Sequence, residues 1–384
     1  MFSRRLVKHV QPDQLLPRPQ QSSTEHTAPT TQSFVPEAGG SVLVMLTPDR
    51  ASGTVTAQVQ DPRLPALTVT DQGVTRGDGI FETLMATPGQ GQDGAGFHLR
   101  KSAAHLARLA ASAEATQIPV PSEQDWRDGI AAGLGVFAAG NPGRAAVVKL
   151  VATRGPEAAP GGGHYGGGLD AGGLDSSAPS GPARVEQLTG TYWALVSPVS
   201  EASSHARETG LKVLLLDRGY ESGVQERAPW LLLGAKTLSY AVNMAAMRHA
   251  KSQGADDVIF TSSDGKVLEG PTSTVLMARR VPRADGTQGV ELITPLRRNG
   301  ILPGTSQGVI FAAAERAGWE LGYGPLVPDD LMDADGLWLV SSVRLVAPVT
   351  HLDGVELTVD HELTEQLSAF LAEDLDPGSH GPVD

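Results

Sequence analysis

Lys236, in Leu-Gly-Ala-Lys-Thr-Leu-Ser-Tyr, and Glu269, in Val-Leu-Glu-Gly-Pro-Thr-Ser, lie 33 positions apart and are the residues of this chain best suited to covalent chemistry. A lysine amine can condense with an aldehyde to form a Schiff base. An acidic side chain facing the nitrogen of an aromatic ring keeps that nitrogen protonated, and the ring can then accept electrons from a carbanion. Neither residue is informative alone. Lys236 follows an apolar stretch, Trp230–Leu233, which would bury its amine and lower its pKa. The local sequence by itself favours a surface lysine at the start of a helix. Glu269 is equally readable as a solvated glutamate just after a hairpin.

Pro303-Gly304-Thr305-Ser306 stands immediately before a helical pattern. Free N–H groups and the positive end of the helix dipole would suit an anion there, and plain N-capping by Thr305 or Ser306 is the duller alternative. The ten histidines add nothing: His98 and His105 lie seven apart, too far for a two-histidine metal pair at i, i+4. No metal is expected. The absence of cysteine excludes disulfides, thiolate metal sites and a cysteine nucleophile.

A net charge of −13 with no basic stripe argues against nucleic acid as a partner. An anionic ligand would need a local cluster of Arg, Lys and backbone N–H groups, because the overall field repels it. No apolar run reaches the eighteen residues of a membrane span. The N-terminus carries Arg4, Arg5 and Lys8 without the apolar stretch of a secretory signal. A cytoplasmic location fits.

Two ordered blocks must position these residues. Residues 1–40, rich in Gln, Pro, Ser and Thr, read as a disordered arm. Nine glycines and four prolines between Pro156 and Ala183 mark a flexible insertion, taken as 156–187. Residues 376–384 read as a loose tail. This leaves an N-terminal α/β domain at 41–155 and a C-terminal domain at 188–375. In the first, Ser41–Leu46, Ala66–Thr70, Ile80–Ala86 and Ala145–Thr153 read as strands, and His98–Ala113 as a helix with Leu99, Ala103, Leu106 and Ala110 at helical spacing. In the second, Tyr192–Val196, Val213–Leu216, Val258–Thr261, Lys266–Glu269, Thr274–Ala278, Val290–Ile293 and Leu337–Val340 read as strands. Asp264-Gly265 is a turn signal between two of them. Helices are expected from Tyr240 to near Gly254 and over Ser306–Ala317, stopping at Gly318. Strands outnumber helices and come in hairpin-like runs, so the class is α+β.

Six segments in this order resemble the fold-type IV pyridoxal 5'-phosphate (PLP) enzymes: branched-chain aminotransferases, D-amino-acid aminotransferases and 4-amino-4-deoxychorismate lyases. They are Asp71–Leu84, His105–Leu109, the Lys236 and Glu269 segments, Ile301–Gln307 and Val340–Val349, spread over about residues 41–375. The resemblance implies a smaller N-terminal α/β sandwich, a larger C-terminal pseudo-barrel that binds PLP, and a homodimer. It makes Lys236 the catalytic lysine and Glu269 the partner of the pyridine nitrogen. Arg108, Thr305, Ser306 and Ser342 become phosphate ligands, and Tyr240 a further cofactor contact.

Within the family, three details lean towards the lyase. They are Arg76-Gly-Asp-Gly-Ile-Phe-Glu, Lys149 ahead of Val-Ala-Thr-Arg154-Gly, and the run Ala-Lys-Thr-Leu-Ser-Tyr-Ala-Val-Asn243. Lys149, Arg344 and Arg76 are the candidate cations for substrate carboxylates, although Lys149 is equally readable as a strand residue facing solvent. The expectation is conversion of 4-amino-4-deoxychorismate to 4-aminobenzoate and pyruvate for folate synthesis. D-amino-acid transamination comes second and branched-chain transamination third. Two positions depart from relatives. Ala241 stands where branched-chain enzymes have a tyrosine, with Tyr240 one residue early, and Ser273-Thr274 replaces the usual Ser-Asn.

Overall fold

The computed structural model describes residues 34–89, 95–157 and 185–373. Its first half is built on a six-stranded antiparallel sheet in the order β2-β1-β6-β5-β3-β4. The strands are β1 (Val42–Asp49), β2 (Thr54–Gln60), β3 (Gly79–Pro88), β4 (Phe97–Leu99), β5 (Ala146–Thr153) and β6 (Thr191–Pro198). A short helix, α1 (Gln72–Thr75), precedes β3, while α2 (Ser102–Thr116) and α3 (Glu123–Gly140) cover one face. Side chains alternate between the faces of a strand. Ile80, Leu84 and Ala86 of β3 therefore meet Leu106 and Leu109 of α2 in a single core with Ile130, Leu134 and Phe137 of α3. Glu82 sits on this same face, between Ile80 and Leu84, with no solvent exposure. The opposite face carries Phe81, Thr83 and, directly across from Thr83, Lys149 of β5.

The second sheet runs β11-β10-β9-β12-β13-β7-β8. Its strands are β7 (Leu211–Asp217), β8 (Asp257–Thr261), β9 (Thr274–Pro282), β10 (Gln288–Pro295), β11 (Glu320–Gly324), β12 (Gly336–Ser341) and β13 (Leu345–Leu352), with β14 (Val355–Glu356) paired to β13. The helices here are α4 (Glu201–Thr209), α5 (Ala241–Ser252), α6 (Thr305–Arg316), α7 (Pro328–Met332) and α8 (His361–Ala372). Val275 and Met277 of β9 and Leu337 and Leu339 of β12 share a core with Ile259 of β8 and Ile293 of β10. Strands from β10 round to the end strand β8 reach that core, so the sheet curls round it. The alternate residues Leu276, Ala278, Trp338 and Val340 pack outward against α6 and α8. The class is α+β, as the strand-rich pattern predicts.

Several expectations shift. Ala66–Thr70 forms no strand; Pro65 immediately precedes the run, Val69 is exposed, and the Asp71 N–H closes a turn on Thr68 O. The α2 helix begins at Ser102 because Phe97–Leu99 pairs with the end of β3 instead. The strand read at Tyr192–Val196 as opening the second block is β6, which pairs with β1 and β5 in the middle of the first sheet. Lys266–Glu269 folds back on β8 through a bridge at Val267 and backbone bonds between Phe260 and both Leu268 and Glu269, and Asp264-Gly265 lies in a three-residue turn closed by Ser262 N–H to Lys266 O at 2.8 Å.

Residues 34–40, assigned to the arm by composition, are held in place. Phe34 packs against the first core, and Asn141 Nδ2 donates to Gly40 O at 3.0 Å. The rest of the arm, residues 158–184 of the insertion and the tail lie outside the described residues. The sequence reading leaves α3 unassigned, although Ser122 and Asp125 form a capping box at its start.

Candidate active site

Lys236 is not on a helix. The chain turns through Leu232 and Gly234, both at positive φ, and then runs extended. Residues 236–238 pair with the start of β3: Phe81 N–H donates to Lys236 O at 2.9 Å, and Leu238 N–H to Gly79 O at 2.7 Å. Lys236 N–H also donates to Ser112 Oγ of α2 at 3.1 Å. Gly79 makes the approach feasible, since a Cβ there would stand 2.6 Å from Leu238 Cδ1 and 2.8 Å from Ala152 O. The Lys236 amine reaches into the cleft 4.6 Å from the centroid of the Phe81 ring. Burial, and then the charge of Arg108, lowers its pKa to about 8.

Glu269 faces the same cleft from just beyond the hairpin. Its Oε2 accepts from Leu302 N–H at 3.2 Å. Withdrawal from water pushes its pKa up to about 7, against the opposing pull of that hydrogen bond and of Lys236. Tyr240 turns inward at the start of α5: its hydroxyl donates to Pro271 O, and its ring stands edge-on to Phe81 at 5.4 Å. Asn243 Nδ2 donates to the same carbonyl at 2.8 Å.

The third wall is an anion cup. Gly304 begins α6 without a side-chain cap, which leaves the first-turn N–H groups without a side-chain acceptor. A Cβ at Gly304 would run into Thr274 Oγ1, so a larger residue would have to push that side chain aside. Thr305 Oγ1 lies 3.3 Å from Ser342 Oγ. Arg108 of α2 comes alongside, with Nη1 donating to Pro303 O at 2.6 Å.

Behind the cup is a cluster that sequence reasoning misses. Glu82 accepts from Arg108 Nε at 2.6 Å and Nη2 at 3.0 Å, and pairs with His105 Nδ1 at 2.8 Å. His105 Nε2 lies 3.1 Å from Ser342 Oγ and 3.3 Å from Thr305 Oγ1. Burial alone would raise the Glu82 pKa, but Arg108 and His105 together outweigh it and hold the carboxyl at about 2. Two signals could have found this cluster. One is a carboxylate on the apolar face of β3, which needs partners; the other is a His and an Arg three apart on one helix face.

Lys236, Glu269, Tyr240, Arg108, Thr305, Ser306 and Ser342 surround one cleft of about 750 Å³, which is also lined by Lys149 and Arg344. Lys149 Nζ lies 4.7 Å from the Phe81 centroid, and burial lowers its pKa. Arg344 pairs with the fully buried Asp257. Arg76 does not line this cleft; its guanidinium bonds Glu157 at 2.7 Å. The donor set fits PLP: an amine of lowered pKa, a recessed carboxyl and an uncapped helix start with two hydroxyls and an arginine share one cavity. Among the described residues no group of His, Asp and Glu is arranged to hold a metal ion, and no helix is long and apolar enough to cross a membrane.

The chain is similar to known proteins. The Amino-transferase class IV family profile matches residues 79–352. A bifunctional aminodeoxychorismate lyase / D-amino acid transaminase of Mycobacterium tuberculosis is 38% identical over 307 residues, which cover 79% of this chain and 92% of that protein. Among solved structures, the PLP-bound form of a hypothetical aminotransferase from Mycobacterium tuberculosis superposes with a TM-score of 0.68 at 33% identity, covering 86% of this chain and 98% of that one. A fold IV-transaminase from Curtobacterium pusillum gives a TM-score of 0.68 at 38% identity, covering 86% and 99%.

Proposed function

Because the chain belongs to the class IV aminotransferase family, whose members are PLP-dependent, we propose that it is a lyase converting 4-amino-4-deoxychorismate to 4-aminobenzoate and pyruvate. The observation that carries this reading is Lys149. It is a cation inside the cleft, near Lys236, and among the described residues no carboxylate pairs with it. In a chain of charge −13 such a group suits a substrate bearing two carboxylates. Arg344 lines the cleft as well, but Asp257 already neutralises it.

When bound, PLP supplies an electron sink for the pair left by breaking the C–H bond at the carbon that bears nitrogen. Lys236 would hold the aldehyde end of the cofactor, Glu269 its ring nitrogen, and Thr305, Ser306, Ser342 and Arg108 its phosphate. Freed by the incoming substrate amine, the Lys236 amine takes the proton from that carbon. The same group can return a proton as the enolpyruvyl ether departs. The elimination is redox-neutral and needs no oxo acid. Tyr240 and Phe81 wall the cleft against water beside Lys236.

D-amino-acid transamination is the second reading, favoured by the bifunctional relative, since both reactions begin with the same proton removal. A second copy of the chain would cover the exposed Trp230, Leu231, Val242 and Met244, of which Leu231 and Met244 line the cleft. The test supplies 4-amino-4-deoxychorismate alone and, separately, D-alanine with and without 2-oxoglutarate. Release of 4-aminobenzoate without any oxo acid supports the lyase. Turnover of D-alanine only, and only with the acceptor present, would replace the lyase reading by the transaminase.

A further inference from the structure

The Glu82–His105 pair has no part in the chemistry above, yet it touches both hydroxyls of the anion cup. Glu82 receives two hydrogen bonds from Arg108, so it is a carboxylate and His105 Nδ1 must carry the hydrogen of their 2.8 Å contact. Only Nε2 is left to change state. It sits at one corner of a triangle with Ser342 Oγ at 3.1 Å and Thr305 Oγ1 at 3.3 Å, and the two oxygens are 3.3 Å apart. A neutral imidazole accepts at Nε2, so one hydroxyl spends its only hydrogen on the ring and cannot offer it to an anion. A protonated imidazole donates there, and both hydroxyl hydrogens are free to turn into the cleft.

We propose that His105 is a proton-linked positioning residue: it takes a proton from solvent at Nε2 when a phosphate dianion enters the cup, and so turns both the Thr305 and the Ser342 hydroxyl hydrogens towards it. This rests on the reading of Thr305 and Ser342 as phosphate ligands. Every element packed round the ring bears on it. Glu82 of β3 favours the charged form, while Arg108 of α2 and Lys101 at its N-cap oppose it. Thr305 and Ser306 of α6 and Ser342 after β12 contribute hydroxyls, and Leu371 of α8 and Leu345 of β13 are apolar. Arg100 reaches the same small hollow, with Nη2 donating to Leu371 O at 2.6 Å. In the empty cup, burial leads the opposing influences and lowers the His105 pKa. An arriving dianion reverses that balance.

The experiment measures the affinity of the apoprotein for PLP and for pyridoxal, which lacks the phosphate, by fluorescence between pH 7.5 and 8.5. The ratio of the two affinities cancels the titration of Lys236, and free PLP carries a dianionic phosphate throughout this range. The expected ratio falls by up to about tenfold per pH unit as the linked proton becomes scarce. In His105→Asn, which keeps a donor for Glu82 but withdraws from the hydroxyls, and in His105→Gln, which cannot titrate, the ratio should be flat with pH. A flat wild-type ratio overturns the proposal, and so does a slope that persists in either variant. The wild-type slope alone decides if both variants fail to fold. A PLP preference that Thr305→Val leaves unchanged would sink the phosphate-site reading itself, a separate outcome from a missing slope.

Discussion

Lys149 and Lys236 share one aromatic ring: their ammonium groups stand 4.7 and 4.6 Å from the centroid of Phe81. The first lysine comes from the middle of a sheet strand and the second from a loop segment laid along that sheet. Cations gathered at one quadrupole can each gain from the ring while repelling one another. Lys149 is among the charges that lower the Lys236 pKa, after burial and Arg108.

Lys149→Met should therefore act in two ways. Removing the neighbouring charge raises the Lys236 pKa, so the acid limb of the kcat profile moves to higher pH. Losing a charge-assisted contact to a substrate carboxylate raises KM for 4-amino-4-deoxychorismate by roughly tenfold or more. KM for D-alanine should change far less. Equal effects on the two substrates would remove Lys149 from carboxylate recognition.

The lowered pKa of Lys236, about 8, governs cofactor uptake. An ordinary lysine amine is almost wholly protonated at neutral pH, whereas this one is roughly a quarter free at pH 7.5. The rate at which apoprotein develops the visible absorbance of bound cofactor should rise through pH 8 and then level. A rate still climbing at pH 10 would show an ordinary lysine. Lys236→Ala should lose that absorbance, and kcat should fall at least about 10²–10⁴-fold.

Glu82→Gln should cost about 3 kcal/mol in urea unfolding at pH 7, because it leaves Arg108 without its buried countercharge. The sign of the pH dependence follows from the folded pKa near 2, below the ordinary 4.5. The carboxylate's stabilisation is complete above about pH 4.5 and is lost as pH falls from there towards 2. Stability curves of wild type and variant should converge over that window. Parallel curves would mean that Glu82 carries no native-state charge.

The parts of the site legible in sequence are those carried by contiguous stretches. Pro303–Ser306 announces a helix start, and Lys236 and Glu269 each sit in a short recognisable run. The curled sheet is legible too, since strands such as β9 and β12 are apolar at successive positions and so must be covered on both faces. The Glu82 cluster is harder, because its members come from β3 and α2 and its targets from α6 and the end of β12. Only the fold brings them together. Ala66–Thr70 misleads for the opposite reason: its local strand character is real, but the fold gives it no partner strand. Likewise β6 pairs with the sheet that precedes it across the Gly-rich insertion, a choice of partner that no local pattern encodes.

Residues 236–238 are latched to the start of β3, and Arg108 reaches from α2 to Pro303 O at the opposite rim. Two hasps of this kind, fixed to different supports, leave little freedom for one jaw to swing away from the other. Any sorting between ligands then falls to the side chains that line the cleft, Lys149 among them.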